Sequence, residues 1–216
     1  MARTRIKLCG MTNANQVRQA VDLGVDAIGM IVSANSPRVV SMEQALAIRA
    51  VVPAFVSLVG VFVDTQATDI NSMAAEMGLD VVQLHGDESP EILESLKFPS
   101  IKAIRARDAE TVRQGIAAFS ESRAILLDPY HHTQHGGTGL RLDQSLWPRH
   151  EDNPYQARLV LAGGLSPENM FESLLVLNPF AVDLNSGVEL SPGQKDMVRL
   201  AAAILEVQRY DYDSNN

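Results

Sequence analysis

Eight short apolar segments alternate with helix-length amphipathic segments, and this alternation restricts the fold more than any other feature. The apolar segments are rich in Val, Ile and Leu, as parallel strands covered on both faces are. Alternating strands and helices form a parallel sheet with right-handed crossovers, and eight units can close into a barrel. We therefore predict an α/β fold, a single-domain (β/α)8 TIM barrel, with strands near Arg5–Cys9, Ala27–Val32, Phe55–Val63, Val81–Leu84, Ile101–Ile104, Ala124–Leu127, Leu159–Leu161 and Ala181–Leu184.

Length and charge narrow the class of protein. A barrel of this kind usually has about 250 residues. A chain of 216 residues therefore suits one compact domain spanning 1–216, with a polar tail at 209–216 that we expect to fray. The net charge of −8, from 18 basic and 26 acidic residues, argues against a nucleic-acid partner and against an anionic membrane surface. It leaves room for one local basic pocket that binds a small anion.

Cysteine content and hydropathy indicate a cytoplasmic protein. Cys9 is the one cysteine, so no disulfide can form within the chain, which favours a reducing compartment. We recognise no signal peptide, and no apolar run approaches the ~20 residues that a membrane-spanning helix needs. Since no long apolar surface stretch stands out, we expect a monomer.

Local signals mark several helix ends. Ser41 and Gln44 have the spacing of a capping box, which predicts a helix start. Ser89-Pro90-Glu91 places a cap, a first-turn proline and an acidic residue in the order that favours another helix start. Gly24 and Gly78 lie where the first and third helices are expected to end, because glycine adopts the left-handed conformation common at that position.

Two loops near the C-terminus have the pattern of a shared phosphate site. Gly163-Gly164 follows the seventh predicted strand, and Ser186-Gly187 follows the eighth. Ser166-Pro167 and Ser191-Pro192 come next, and each pair is typical of a helix start. Bare backbone N–H groups beside a helix start bind anions, and the loops after strands 7 and 8 of such barrels often bind phosphate. We predict one phosphate between these loops rather than two ordinary strand–helix turns.

Reactive side chains follow strands 1 and 6, where active sites of such barrels lie. The thiolate of Cys9 could abstract a proton or attack a carbon, although a free cysteine is often only a buried apolar residue. Asp128 ends the sixth strand, where a partly desolvated carboxyl could donate a proton. The alternative for Asp128 is a helix cap or an ion pair with Arg105 or Arg158.

Arginine and histidine side chains supply further candidates. Arg38 follows a proline on a stiff loop, where its planar guanidinium suits a substrate carboxylate; the alternative is a surface salt bridge. His85 is better suited to orienting its neighbours than to acting as a base. The spacing of His131, His132 and His135 could bind a metal, but the ligand set is incomplete, so we predict no metal site.

The connection between strands 6 and 7 is longer than the others. Thirty residues lie between Asp128 and Leu159, and they include the glycines of Gly136–Gly139. A long loop that contains a glycine hinge is typical of the lids that close over active sites. We therefore expect this segment to act as a lid at the C-terminal mouth of the barrel.

A series of motifs resembles the phosphoribosylanthranilate isomerase family, in the family's order and from Arg5 to about Leu205. Each motif is weak alone, but the complete series is specific. The motifs are Lys7-Leu-Cys9-Gly10-Met-Thr12, Ser36-Pro37-Arg38, Val59-Gly-Val-Phe-Val63, Gln83-Leu-His85-Gly86, Gly136-Gly-Thr-Gly139, Leu161-Ala-Gly-Gly-Leu165, and Asp183 with Ser186-Gly-Val-Glu189 and Pro192-Gly-Gln-Lys-Asp196.

The resemblance implies an isomerase of tryptophan biosynthesis that needs no cofactor. Its substrate is N-(5-phosphoribosyl)anthranilate, and its product is 1-(2-carboxyphenylamino)-1-deoxyribulose 5-phosphate, formed by an Amadori rearrangement. Asp128 would be the general acid that protonates the furanose oxygen. Cys9 would be the general base that removes the proton from C2 of the ribose.

The resemblance also implies the binding residues. Arg38 would hold the anthranilate carboxylate, Asp183 could accept a hydrogen bond from a ribose hydroxyl, and His85 would support the site. The phosphate would bind to Gly163, Gly164, Ser186 and Gly187. From strand parity we add that Lys7 points into the barrel two residues before Cys9 and helps to lower the pKa of its thiol.

The chain departs from the family pattern in three places, which leaves other functions open. The loop after strand 2 lacks the usual aromatic residues, Leu142-Asp143 and a displaced Trp147 replace a Phe-Asp-Trp pattern, and Asn185 stands where serine is common. The alternatives are a non-catalytic phosphate-binding paralogue, a related sugar-phosphate isomerase, and a structural subunit. Cys9 and Asp128 argue against the paralogue, and a cysteine after strand 1 argues against the two-aspartate pair of the related isomerases.

Overall fold

Eight parallel strands close into a barrel in chain order in the computed structural model, which describes residues 3–130 and 141–215. The barrel closes where β1 pairs with β8, with Lys7 opposite Asp183. The predicted α/β barrel is confirmed. The strands are β1 (Arg5–Leu8), β2 (Ala27–Ser33), β3 (Ser57–Phe62), β4 (Val81–Leu84), β5 (Ser100–Ala106), β6 (Ala124–Pro129), β7 (Leu159–Leu161) and β8 (Ala181–Leu184).

Helices cover the outside of the barrel, and local signals in the sequence explain several of their ends. Ser41 and Gln44 form the predicted capping box, and Gly78 ends its helix with a φ of 66°. The helix expected after Ser89-Pro90 is only four residues long. The helices are α1 (Ala14–Asp22), α2 (Met42–Arg49), α3 (Ala67–Met77), α4 (Ile92–Ser95), α5 (Ala109–Ala118), α6 (Met170–Leu177) and α7 (Met197–Asn215).

The prediction of a helix start at Ser191-Pro192 is wrong. These residues belong to an antiparallel hairpin of β9 (Glu189–Ser191) and β10 (Gln194–Lys195). Pro192 and Gly193 occupy the centre of the turn, and Gly193 has a φ of 81°, as the third residue of a type II turn requires. A serine–proline pair suits a turn as well as a helix start, and the glycine that follows decides between them.

Two further predictions about helix ends need correction. Helix α6 starts at Met170, after a turn in which Ser166 O accepts hydrogen bonds from the N–H groups of Asn169 and Met170. The tail from Arg209 was expected to fray, but α7 continues through Asn215. The end of α6 anchors this part of α7, because the buried Tyr210 donates from its hydroxyl to Asn178 Oδ1 at 2.9 Å.

The apolar core has two parts. The larger part lies between the strands and the surrounding helices, and it includes Leu8, Ile28, Phe62 and Leu84. The smaller part fills the barrel with mostly small side chains, namely Ala103, Ala124, Leu126, Val160, Ala162 and Ala181. Small residues leave space inside the barrel, and buried polar side chains use it to reach the C-terminal mouth.

Some predictions fall on residues 131–140, outside the described residues. They are the glycine hinge of the expected lid and the three histidines of the weighed metal site. The described part of the same connection contains two short 3-10 helices, Gln144–Leu146 and His150–Asp152. Within residues 3–130 and 141–215, no helix is both long and apolar enough to cross a membrane. The same residues contain no cluster of three or more His, Cys, Asp or Glu side chains arranged for a metal.

Candidate active site

One cleft opens at the C-terminal ends of the strands, and it brings together nine of the ten side chains and backbone positions that the sequence nominates. Lys7 is the exception, because it lies buried beneath the cleft. The nine are Cys9, Arg38, His85, Asp128, Gly163, Gly164, Asp183, Ser186 and Gly187. The apolar part of the lining comes from residues such as Ile31, Ala34, Val61 and Val63.

Glycines make room for Cys9 at the end of β1. A Cβ atom at Gly29 would lie 3.0 Å from Cys9 Sγ and 3.1 Å from Lys7 Nζ, so both side chains occupy the space that this glycine leaves. Gly10 has a φ of 71°, which turns the chain sharply after Cys9. The thiol therefore faces the cleft, in the space that Gly29 leaves and next to the turn at Gly10.

Lys7 points into the barrel, as strand parity predicts, and pairs with Asp183. Its Nζ lies 2.8 Å from Asp183 Oδ1, and both side chains are buried. Burial alone would lower the pKa of Lys7, but the Asp183 carboxylate and the Cys9 sulfur outweigh it, so its pKa is raised. Lys7 is therefore a fixed positive charge beneath Cys9, with Asp183 as its counter-ion.

Lys7 lowers the pKa of the Cys9 thiol, as strand parity predicts, but the net shift is upward. Burial is the largest cause, since it disfavours the thiolate. Lys7 and Lys195 act in the opposite direction, but Asp183 adds to the effect of burial. The alternation of side chains along β1 predicted the position of Lys7 correctly. It could not predict that a carboxylate of β8, Asp183, pairs with this lysine. Burial and Asp183 therefore favour the protonated thiol over the thiolate.

Asp128 ends β6 close to an imidazole. His85 Nε2 lies 3.6 Å from Asp128 Oδ2, and its Nδ1 lies 2.9 Å from Gln83 Nε2. An amide N–H that donates to Nδ1 leaves the proton of the neutral ring on Nε2, the nitrogen that faces Asp128. Within the described residues, neither Nε2 nor Gln83 Oε1 has a hydrogen-bond partner.

The two arginines that the sequence offered as partners of Asp128 are engaged elsewhere. Arg105 Nη2 donates to Asp87 Oδ1. The guanidinium of Arg158 lies over the ring of Phe180, 5.2 Å from its centroid. Asp128 therefore faces the cleft and His85, which leaves its carboxyl available to a ligand.

The two glycine loops pack against each other. A Cβ atom at Gly187 would lie 2.0 Å from the carbonyl oxygen of Leu165, so only glycine allows this approach. Both Gly163 and Gly164 have positive φ, at 91° and 57°. Ser186 opens a single turn of 3-10 helix, Ser186–Val188, and this turn takes the place of the helix predicted at Ser191.

Side chains outside the cleft hold the glycine loops in place. The buried Asn169 donates from Nδ2 to Gly164 O at 2.8 Å and accepts from Ser166 N at 3.0 Å. Arg199 of α7 donates from Nε to Gly187 O at 3.1 Å. Sequence reasoning assigned no role to either residue: Asn169 lies in the turn just before α6, close in sequence to the loop that it holds, whereas Arg199 reaches Gly187 from α7.

Arg38 makes a buried ion pair rather than the surface salt bridge considered from sequence. Its Nη2 lies 2.6 Å from Glu189 Oε2, and Lys195 Nζ lies 2.8 Å from Glu189 Oε1. Burial alone would raise the pKa of Glu189, but Arg38 and Lys195 lower it. Glu189 and Lys195 lie within a family motif, yet sequence reasoning assigned them no role.

Comparison with known proteins assigns the family. Residues 6–206 match the sequence profile of a protein family described as N-(5'phosphoribosyl)anthranilate (PRA) isomerase. This chain belongs to that family. Members from Neisseria meningitidis serogroup A and Citrifermentans bemidjiense, both named N-(5'-phosphoribosyl)anthranilate isomerase, are 38% and 41% identical to it. Those matches cover 97% and 95% of this chain and 99% and 98% of theirs.

Solved structures of the phosphoribosylanthranilate isomerase family have the same fold. The Thermotoga maritima isomerase superimposes with a TM-score of 0.86 at 34% identity, covering 95% of this chain and 99% of that one. A family structure in complex with reduced 1-(o-carboxyphenylamino)-1-deoxyribulose 5-phosphate has a TM-score of 0.84 at 34% identity, with the same coverage. Another is described as monomers generated from the dimeric Thermotoga maritima enzyme.

Proposed function

We propose that this chain isomerises N-(5-phosphoribosyl)anthranilate to 1-(2-carboxyphenylamino)-1-deoxyribulose 5-phosphate in tryptophan biosynthesis. The observation that carries the proposal is the cleft, in which a cysteine, an aspartic acid and two packed glycine loops meet. Membership of the isomerase family over residues 6–206 supports it. The chemistry is an aldose–ketose isomerisation by general acid–base catalysis.

Asp128 acts as the general acid in the first step. Its carboxyl gives a proton to the furanose ring oxygen while the bond from C1 to that oxygen breaks. The lone pair of the anthranilate nitrogen forms a double bond to C1, which yields an iminium ion. His85 faces Asp128 at 3.6 Å and orients the carboxyl for this transfer.

Cys9 acts as the general base in the second step. Its thiolate takes the proton from C2, and the electrons of the C–H bond move to form the enolamine while the iminium nitrogen becomes neutral. Tautomerisation moves a proton from the C2 hydroxyl to C1 by way of solvent and gives the aminoketone. Because the iminium raises the acidity of C2, a thiolate is a sufficient base once the thiol has lost its proton.

Binding groups surround these two residues. Backbone N–H groups of Gly163, Gly164, Ser186 and Gly187 hold the phosphate, since the loops leave the backbone uncovered by side chains. Arg38 binds the anthranilate carboxylate, and Asp183 accepts a hydrogen bond from a ribose hydroxyl while it holds Lys7. The aliphatic Ile31 and Ala34 pack against the anthranilate ring, where the family usually has aromatic residues.

The deciding experiment follows the loss of phosphoribosylanthranilate fluorescence, with the substrate made in place. We expect the wild type to turn over, and Cys9→Ala and Asp128→Asn each to lose about two orders of magnitude or more in kcat. A silent wild type that still binds the reduced product analogue would favour the non-catalytic paralogue. An active Cys9→Ala variant would move the base to another residue.

The cellular state is part of the same proposal. We infer a monomer that works in the cytoplasm, since the sequence has no long apolar surface stretch. Light scattering at micromolar concentration tests the monomer, and a mass twice that of the 23.5 kDa chain would contradict it. Cell fractionation tests the location.

A further inference from the structure

Two buried ionic side chains of the hairpin β9–β10 have no role in the reaction described above. We propose that Glu189, held in place by Lys195, is a positioning residue that orients the Arg38 guanidinium toward the substrate carboxylate. The inference rests on the proposed function, which makes Arg38 the carboxylate-binding group. It adds a specificity element that lies outside the cleft lining.

Glu189 binds one edge of the guanidinium. Arg38 Nε donates to Glu189 Oε1 and Oε2 at 2.9 and 3.2 Å, and Arg38 Nη2 donates to Oε2 at 2.6 Å. Arg38 Nη1 takes no part in these bonds. A guanidinium has five N–H donors in one plane, so a carboxylate on its Nε edge leaves the Nη1–Nη2 end free for a second carboxylate.

The hairpin holds Glu189 itself. Glu189 Oε1 accepts hydrogen bonds from Lys195 Nζ at 2.8 Å and from the backbone N–H of Gly193 at 3.1 Å. Lys195 Nζ also donates to Asn185 Oδ1 at 2.9 Å. Asn185 lines the cleft immediately before Ser186, so the same lysine connects the carboxylate subsite to the phosphate loop.

Close packing limits where the Arg38 side chain can go. A Cβ atom at Gly10 would lie 2.8 Å from Arg38 Cδ and 2.8 Å from Asn185 Oδ1. The side chains of Glu189 and Lys195 are 4% and 0% exposed, so water has little access to the ion pairs. Packing already confines the aliphatic part of the Arg38 side chain. The hydrogen bonds to Glu189 therefore determine only how its terminal guanidinium is oriented.

This arrangement makes a specific prediction. A residue that acts only through Arg38 affects ligands that carry a carboxylate and leaves other ligands unaffected. A residue that merely stabilises the barrel mouth affects every ligand of the cleft. Two probes separate these cases: reduced 1-(2-carboxyphenylamino)-1-deoxyribulose 5-phosphate, and the reduced 1-phenylamino compound, which lacks only the carboxyl group.

The experiment measures the Kd of both probes by titration calorimetry. We expect the wild type to prefer the carboxylated probe about 30-fold or more, since the hydrogen bonds are charge-assisted. Glu189→Gln should reduce this preference about tenfold, because a small misplacement of a positioned group is costly. Its affinity for the phenylamino probe should remain within about twofold of the wild-type value, since Lys195 keeps its hydrogen bonds to Asn185 beside the phosphate loop.

Controls make each outcome decisive. Arg38→Met should abolish the preference, and Glu110→Gln, which alters an exposed ion pair with Arg113 on α5, should preserve it. Equal weakening of both probes by Glu189→Gln would overturn the inference in favour of a structural role. Equal affinity of the wild type for both probes would also overturn it. Turnover by the wild type is measured separately, so that failure of this inference can be distinguished from failure of the proposed function.

A second variant covers the case in which Glu189→Gln does not fold. Glu189→Asp keeps a negative charge for Lys195 but is one methylene too short to reach both Arg38 Nε and Arg38 Nη2. We expect the preference for the carboxylated probe to fall by at least about threefold in this variant, because the two-point contact is lost. An unchanged preference would overturn the inference.

Discussion

The two sides of the cleft differ in their electrostatics. The Cys9 side contains three cations, Lys7, Arg38 and Lys195, and two anions, Asp183 and Glu189, all buried or nearly so. The Asp128 side instead presents an imidazole and an amide: His85 Nε2 lies 3.6 Å from Asp128 Oδ2, and Gln83 Nε2 lies 2.9 Å from His85 Nδ1.

The difference matches the charge that each side must carry. The Cys9 side has one positive charge in excess, so a thiolate or a bound carboxylate makes it neutral. In the proposed reaction the Asp128 side donates a proton, and a neighbour that only orients the carboxyl suits that task. Buried ion pairs therefore surround the proposed base, whereas the proposed acid faces an imidazole at 3.6 Å.

Removing one partner of the Lys7–Asp183 pair is the strongest test of the charged side. Lys7→Met leaves a buried carboxylate without its cation, and we expect the free energy of unfolding to fall by about 3–5 kcal/mol. The double variant Lys7→Met/Asp183→Asn should lose less, because neither charge of the pair is left buried without its partner. Urea denaturation measures both. If the double variant is less stable than Lys7→Met, the two side chains do not stabilise the protein as a pair.

The ionisation of Cys9 gives the next largest effect. Because burial raises the pKa of the thiol, Cys9 is protonated at pH 7, and each rise of one pH unit increases the thiolate fraction about tenfold until the pKa is reached. The rate of alkylation by iodoacetamide should therefore rise about a hundredfold from pH 7 to pH 9. Mass spectrometry reads this rate unambiguously from the one cysteine. A plateau below pH 8 would show that Lys7 outweighs burial.

Substitutions on the Asp128 side should have weaker effects. His85→Gln removes the ring that faces Asp128, and we expect kcat to fall about tenfold with little change in KM, since orientation rather than binding is lost. Gln83→Leu removes the tether of the ring without touching Asp128, so it should lower kcat in the same direction at unchanged stability. If either variant has the kcat of the wild type, His85 does not orient Asp128 and this contrast between the two sides of the cleft is wrong.

The smallest expected effect concerns the phosphate loop. Asn169→Ala removes both hydrogen bonds that hold the loop after β7, and we expect KM to rise about threefold to tenfold while kcat changes little. Asn153→Ala is a matched control, because Asn153 makes the same pair of bonds to the backbone of Ala157 away from the cleft. Equal effects of the two changes would exclude a role of Asn169 in the site.

Sequence patterns predicted much of the fold because the relevant signals are local. The eight apolar strands, the capping box at Ser41 and the glycine at position 78 each depend on a few consecutive residues. The wrong predictions were made where one local pattern suits two structures. Ser191-Pro192 forms the first half of a hairpin turn, and the tail after Gln208 continues as a helix in which Tyr210 contacts Asn178.

The sequence by itself determined which residues reach the mouth of the barrel, because strand order and parity place Cys9, Asp128 and the two glycine loops at the same end. Only the tertiary structure decided how those residues are charged and held. Lys7 meets Asp183 across 176 positions, and Arg38 meets Glu189 across 151. Such pairs form because the closing barrel removes these groups from water together, and no local pattern encodes which buried charge will find which partner.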